Sequence, residues 1–416
     1  NNTLSLATSY TDLAGNAGTA ETTANYAIDT LVPTISSVTA GWGTFLNATE
    51  DNSAGTVTVV TSGAENDQTV TVTLNGTNYT GTVSDNSTSV AVATTDLQAL
   101  TDGSSYTLTT NVSDAAGNAA TVNTGTSFTY DITAPTISGG VAITSGTGIQ
   151  NNFLNAGDNV SVTVTFSENS PVTGTPQLTL AVGDDNQTAM YASSGSGGTT
   201  MVFQYMIQAG DNDTNGISIR ANALALDNGT ISDPAGNNAI LTHSAVSDNN
   251  SYKVDTTAPT VDNFTLSDTA LKAGDNATVS LVFSEAVFGF ASAADITDPS
   301  GTLAAMTSSD NITWTGTFTP MVDTQLSRER LSLYSSYNDI KGNLGIGKYS
   351  SEIGTRGYYV VDTKGPSVLS LHFTDGSTEL PSPFTGRCLP VTGNIIVRFD
   401  SVYMGPSYIT TNTSDT

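Results

Sequence analysis

The chain has 416 residues, 38 of them acidic and 11 basic, for a formal net charge of −27. Such a chain repels nucleic acid phosphates and anionic lipid, so neither is expected as a partner. A single cysteine, Cys388, excludes an intramolecular disulfide framework and a four-cysteine zinc site.

No apolar run reaches the roughly 18 residues of a membrane-spanning helix, so no membrane insertion is expected. Of the 38 acids, 30 are Asp and 8 are Glu. Asp favours turns and ligates hard cations, so the negative charge is expected in loops rather than on helical faces. An Asp-rich, thiol-poor chain has the composition of an extracellular protein without disulfides. It begins at Asn1 without a signal segment and reads as an internal fragment.

In chain order, residues 1–32 read as the last strands of one module and its linker. Residues 33–134 form the next, with strands expected at 55–61 and 68–79, a turn at Asn75-Gly76 and a short helical turn at 95–100. Residues 135–258 form a longer module. Its strand at 160–166 alternates Val with Ser or Thr, and its acidic tracts Asp184-Asp185-Asn186 and Asp211-Asn212-Asp213 read as solvated hairpin turns. Residues 259–365 contain a strand at 279–283 and one helical turn at 291–295. Residues 366–416 carry a strand at 394–400, but about 50 residues are too few to close a sandwich core, so this module is truncated. Period-2 alternation, paired turn residues and the lack of long helices predict an all-β chain of tandem immunoglobulin-like β-sandwiches, arranged end to end as a rod.

A two-part signature recurs four times. Asp-x-x-Gly-Asn stands at 12–16, 114–118, 233–237 and 339–343, and Asp-x-x-x-Pro follows at 29–33, 131–135, 255–259 and 362–366. Successive Asp-x-x-x-Pro elements lie 102, 124 and 107 residues apart, the length of one small domain. Asp-x-Ala-Gly-Asn, the following strand and Asp-Thr-x-Ala-Pro resemble the bacterial immunoglobulin-like repeats of very large surface adhesins of the RTX or biofilm-associated type. That resemblance implies extracellular spacers on the bacterial surface, often calcium-dependent, acting in cell adhesion or biofilm formation.

Strand alternation in such a sandwich places Asp-x-x-Gly-Asn in the F–G loop and Phe-Ser-Glu, at 166–168 and 283–285, at the B–C loop. Both loops face the linker that precedes the module. Carboxylates are therefore expected to meet at each linker: Asp29, Glu65 and Asp114 at the first, Asp131, Glu168 and Asp233 at the second, Asp255, Glu285 and Asp339 at the third. At the fourth, Asp362 and Asp400 remain. Calcium takes six to eight oxygen ligands, which two or three carboxylates with turn carbonyls and water supply. The same residues also suit plain turns, with Asp capping backbone N–H groups and Gly at positive φ. Both readings stay open at this level. Glu65 matches Phe-Ser-Glu only loosely.

No catalytic residue is expected. His243 and His372 lie in different modules without a motif, and nucleophile elbows, His-Glu-x-x-His and phosphate loops are missing. The expected function is a structural spacer that projects an adhesive domain, with neighbouring modules of the same chain as its partners. The alternative is a module that binds a glycan, host protein or matrix ligand. Trp42, Trp314, Tyr334, Tyr337, Tyr358 and Tyr359 would then form a stacking platform, although core packing is the commoner fate of such aromatics.

Overall fold

A computed structural model describes residues 2–350, 358–374, 379–380 and 394–399. The chain is all-β. Among the described residues its α-helical content is two four-residue turns, Thr94–Leu97 and Ser292–Asp295, both where the sequence predicts a short turn. The chain gathers into two compact units. One comprises residues 1–147, 159–206 and 215–250, and the other 148–158, 207–214 and 251–416.

The first unit contains a complete two-sheet sandwich. One sheet pairs Thr34–Ala40, Gly55–Ser62 and Ser87–Val92; the other runs in the order Phe45–Leu46, Asn123–Tyr130, Ser105–Val112, Thr69–Leu74, Thr77–Thr82. Alternation sets the core. In Thr69–Leu74 the residues Val70, Val72 and Leu74 are buried while Thr71 and Thr73 are only partly covered. They pack with Val57, Val59, Val90, Leu108 and Phe128 into one cluster. The stretch 68–79 is a hairpin of Thr69–Leu74 and Thr77–Thr82 around the turn expected at Asn75-Gly76. Asn75 and Gly76 take φ of 48° and 82°, a left-handed pair that Asn-Gly tolerates at little cost.

The same unit holds a six-stranded sheet in the order Ile137–Thr147, Asn159–Phe166, Thr200–Met206, Asp185–Gly197, Gln177–Val182, Leu224–Ala225. Asn159–Phe166 buries Val160, Val162, Val164 and Phe166 in strict alternation.

In the second unit, Val261–Leu266, Ala277–Phe283, Thr313–Pro320 and Gly301–Leu303 form one sheet; Ala270–Lys272, Tyr359–Asp362 and Gln325–Glu329 form another. Their core is Phe264, Val279, Leu281, Phe283, Phe318, Tyr337 and Tyr359 with their neighbours. Phe153–Leu154, Lys253–Asp255 and Asn212–Asp213 make a separate three-stranded sheet. Asn394–Phe399 pairs with Val368–Thr374, which contains His372. Cys388 and Asp400 lie outside the described residues.

One local arrangement occurs three times. A short strand runs parallel to the strand that leads into Asp-x-x-x-Pro: Phe45–Leu46 beside Thr129-Tyr130, Phe153–Leu154 beside Lys253-Val254, and Ala270–Lys272 beside 360–362. The turn beyond it is closed each time by an acid three residues on. Asn47 N donates to Glu50 (3.2 Å), Asn155 N to Asp158 (2.7 Å) and Lys272 N to Asp275 (3.1 Å). Leu46, fully buried, anchors the first of these strands, and its carbonyl accepts the Asp131 N–H at 3.0 Å. Leu46→Ala is expected to cost about 2–5 kcal/mol. Chemical denaturation monitored by Trp42 fluorescence would read that loss.

Candidate metal centre

Each Asp-x-x-Gly-Asn stretch folds into the same clasp. The Asp N–H donates to the Asn carbonyl at 3.0–3.1 Å in all four copies. The Asp carboxylate accepts from the Asn backbone N–H and, with its other oxygen, from the Asn side-chain amide. These bonds are 3.0 and 2.8 Å at Asp12, 2.8 and 2.8 Å at Asp114 and at Asp233, and 2.8 and 2.9 Å at Asp339. The Gly takes φ of 89–100°, which a side chain would strain. Asp114, Asp233 and Asp339 are buried. The Asn16 amide beside Asp12 and the Asn118 amide beside Asp114 hold those two carboxyls below their ordinary range.

The clasp at 114–118 lies between Ser105–Val112 and Asn123–Tyr130, the last two strands of the first sandwich. The clasp Asn side chains then reach the linker. Asn118 Nδ2 donates to the Asp29 carbonyl (3.2 Å) and Asn237 Nδ2 to the Asp131 carbonyl (2.8 Å). The linker Asp folds back on its own chain, its Oδ1 accepting from Leu31 N (2.9 Å), Thr133 N (3.2 Å) or Thr257 N (2.8 Å) at the first three linkers.

Two residues that sequence reasoning missed complete the joint. Asn47 Nδ2 donates to the Ala235 carbonyl (2.8 Å), and Ala48 N to Asn237 Oδ1 (3.2 Å). Asn155 Nδ2 donates to the Asp255 carbonyl (3.0 Å) and to Asn343 Oδ1 (2.7 Å). Their sequence signal was present: Phe-Leu-Asn-Ala occurs at 45–48 and again at 153–156. Asp102, in the Asp102-Gly103 pair, is a further residue of the joint. It accepts from Ile132 N (2.9 Å) and Thr133 Oγ1 (2.5 Å), and these bonds to the linker lower its pKa.

The expected carboxylate sets differ in what the structure makes of them. At the first linker, Glu65 Oε2 accepts from Ala115 N at 2.9 Å, and so binds the clasp loop directly. At the second, Asp131, Glu168 and Asp233 bring one oxygen each within 4.8 Å of one another. Among the described residues this is the one acidic set to converge so closely. Burial, and then the neighbouring acids, push Glu168 upward; burial does the same for Asp131, with Asp233 and Asp102 adding to it. Three oxygens half-withdrawn from water, with no basic side chain among them, match the donor set of a hard cation.

At the third linker, the Lys341 ammonium reaches Asp255 Oδ2 (2.5 Å) and Glu285 Oε2 (3.6 Å). At the fourth, Asp362 accepts from Gln325 Nε2 (3.3 Å), and Asp400 is outside the described residues.

The other candidate features are structural. His243 Nε2 accepts from Ala223 N (2.9 Å), so the proton sits on Nδ1, against the Ser244 carbonyl (2.8 Å). Asp211 and Asp213 are buried, not solvated as the sequence suggested, and Asp211 caps Gln208 N at 2.8 Å. Asp185 opens the strand Asp185–Gly197 as an exposed hairpin residue. Trp42, Tyr337 and Tyr359 are core residues, and Trp314 packs edge-on to Phe290; Tyr334 and Tyr358 are exposed.

The chain is similar to several known proteins. The bacterial Ig-like domain family matches residues 255–354. Among solved structures, the chain is similar to one from a 1.5-MDa bacterial ice-binding adhesin, at 20% identity over 80% of this chain and 98% of that one, with a TM-score of 0.36. A Ca2+-stabilized, ice-binding adhesin of an Antarctic bacterium shows 23% identity over 85% and 80%, with a TM-score of 0.38. A bacterial immunoglobulin-like domain of the M. primoryensis ice-binding adhesin shows 34% identity over 23% of this chain and 96% of that domain, with a TM-score of 0.19. No curated protein sequence matches the chain.

Two predictions follow from the geometry. Asn237→Ala removes the amide that joins the clasp to the linker and leaves buried Asp233 short of a donor, which should cost about 1–3 kcal/mol. Thermal unfolding in chelator would measure it.

The second concerns charge. An acid whose pKa is raised on folding binds protons more tightly in the native state, so its contribution to stability falls as pH rises through that raised pKa. In chelator, Glu168→Gln should therefore stabilise the chain at pH 7, by up to about 1 kcal/mol after solvent screening. The gain should vanish once the pH drops below about 4, where the parent Glu168 is protonated in both states. Melting curves across that range, parent against mutant, decide it.

Proposed function

We propose that the chain, whose residues 255–354 match the bacterial Ig-like domain family, is an extracellular spacer of a bacterial surface adhesin, stiffened by calcium at its joints. The observation that carries this reading is the convergence of Asp131, Glu168 and Asp233 at one linker without a compensating basic group. Calcium supplies the missing charge there. The three carboxylates would hold it, with carbonyls or water completing six to eight oxygens.

What this chain's own residues do is separable from the ion. The clasp Asp fixes the loop, the clasp Asn holds the linker carbonyl, and Asp102 restrains the two residues after Asp131. The linker is thus already folded against the following domain, and the cation would remove the repulsion that opposes this closure. Asp29, Glu65 and Asp114, and Asp362 further along, belong to the same scheme by position. Glu65 there contributes a hydrogen bond to the loop. Affinity in the range of about 10⁻⁴–10⁻³ M suits extracellular calcium. A spacer needs no substrate, and Trp42, Tyr337 and Tyr359, which a binding platform would otherwise claim, are core residues.

Small-angle scattering of the chain in millimolar calcium and then in chelator tests the reading. A longer, stiffer particle in calcium is expected, with the difference lost in Asp131→Ala. Identical profiles in the two conditions would reduce the carboxylates to turn chemistry.

A further inference from the structure

The third position of the clasp is Ala14, Ala116 and Ala235 in three copies, but Lys341 in the fourth. Its ammonium lies 2.5 Å from Asp255 Oδ2 and 3.6 Å from Glu285 Oε2. These two acids are the counterparts of Asp131 and Glu168 in the repeat. Asp339, the counterpart of Asp233, is close enough to add to the field on the ammonium. Phe153 offers its ring face 5.9 Å from the same nitrogen.

We propose that Lys341 is a covalently tethered cation that takes the place of the metal at this joint, so that the linker at 255–259 is closed without calcium. The proposal rests on the calcium reading of the 131–135 linker only for its contrast; the ion pair stands without it.

Three physical points support the assignment. First, one positive charge is delivered where the acids converge. Glu285 is raised by burial and by Asp339 and Asp255, and Lys341 is the one group acting to lower it. The equivalent acid Glu168 has no such counterweight. Second, Lys341 is itself held protonated, first by its bond to Asp255, so it remains a cation rather than becoming an amine.

Third, the tether is short and fixed. Lys341 sits inside the clasp, and its backbone N–H donates to Asp339 Oδ1 at 2.8 Å. The loop is held from the other side by Asn155, through Asn343 Oδ1 and the Asp255 carbonyl, and by the amide of Asn151, which donates to the Ile340 carbonyl. A flexible surface lysine would lose much of its pairing energy to side-chain entropy and screening. Here the backbone on both sides of the ion pair is already ordered, and the Asp255 side chain is only 9% exposed. A tethered ammonium also has an effective concentration that does not depend on the surroundings, whereas a joint with a millimolar-range site opens when calcium falls.

The consequence is a chain with two classes of joint, one that responds to calcium and one that does not. Lys341 also restricts the ligand set. A calcium ion placed between Asp255 and Glu285 would face the ammonium at contact distance, so the two cations exclude each other.

Hydrogen–deuterium exchange of the full chain, read separately on peptides covering 131–134 and 255–258, tests this in chelator and in 5 mM calcium (about five times the weaker end of the expected range). In the parent protein, 255–258 should be protected equally in both conditions, while 131–134 gains protection only with calcium. In Lys341→Ala, 255–258 should exchange about tenfold faster in chelator and recover in calcium, because the freed acids then form a metal site. Lys341→Arg should behave as the parent, which separates loss of charge from misfolding. Calcium-dependent protection of 255–258 in the parent, or unchanged exchange in Lys341→Ala in chelator, would overturn the assignment. Failure of calcium to protect 131–134 would instead count against the metal at that linker and leave the Lys341 result readable.

Discussion

The structure depends on one small hydrogen-bonded device, the carboxylate that grips an asparagine four residues on with both of its oxygens. A buried carboxylate is costly unless its lone pairs are filled. Asp114, Asp233 and Asp339 meet that condition within a five-residue loop, using the backbone N–H and the amide of the same Asn. Once the Asp holds one amide hydrogen, the other is free to reach the linker carbonyl, as at Asn118 and Asn237. Local turn chemistry and the restraint of the linker are therefore one interaction, and the loop cannot be altered without loosening the joint.

The device brings a difficulty with it. Fixing the clasp Asp beside the linker Asp and the B–C Glu concentrates negative charge in partly dehydrated space, where like charges repel more strongly than in water. Asp131 and Glu168 are shifted upward by burial first and by the neighbouring acids after it, with nothing positive set against them. Where Lys341 enters, Glu285 gains a partner that works against the same shift. At the first linker the difficulty is smaller, since Glu65 is turned into a hydrogen bond with Ala115 N. Three linkers thus share one backbone design and differ in how the charge is met.

Much of this was legible in the sequence because it is local. The clasp needs Asp, Gly and Asn at fixed offsets, so its spacing is printed in the chain, and strand alternation identifies the faces of Thr69–Leu74 and Asn159–Phe166 directly. The contributions of Asn47, Asn155 and Asp102 were not legible in the same way. Asn47 and Ala235 are 188 residues apart, and only the fold brings them within 2.8 Å. The repeated Phe-Leu-Asn-Ala marked those positions without saying what they touch. Asp211 and Asp213 misled for the complementary reason: their composition is that of an exposed turn, but both are buried, Asp213 in strand pairing with Val254 and Asp211 as the cap of Gln208 N.

The basic residues of the last quarter of the chain also change meaning once their surroundings are known. Eight of the eleven lie beyond residue 325, a distribution that by itself suggests a surface made for a ligand. In the structure three of them are engaged locally. The Arg328 guanidinium stacks over Tyr358 with 4.8 Å to the ring centre, Arg330 over Tyr349 at 3.9 Å, and Lys341 bridges Asp255 and Glu285. Cation–π and ion-pair contacts of this kind consume the charge that a recognition surface would display. Tyr358 and Tyr349, two exposed aromatics of this region, are the rings so covered. Of the three, Lys341 has the most consequential placement, between the acids Asp255 and Glu285 at the base of a linker.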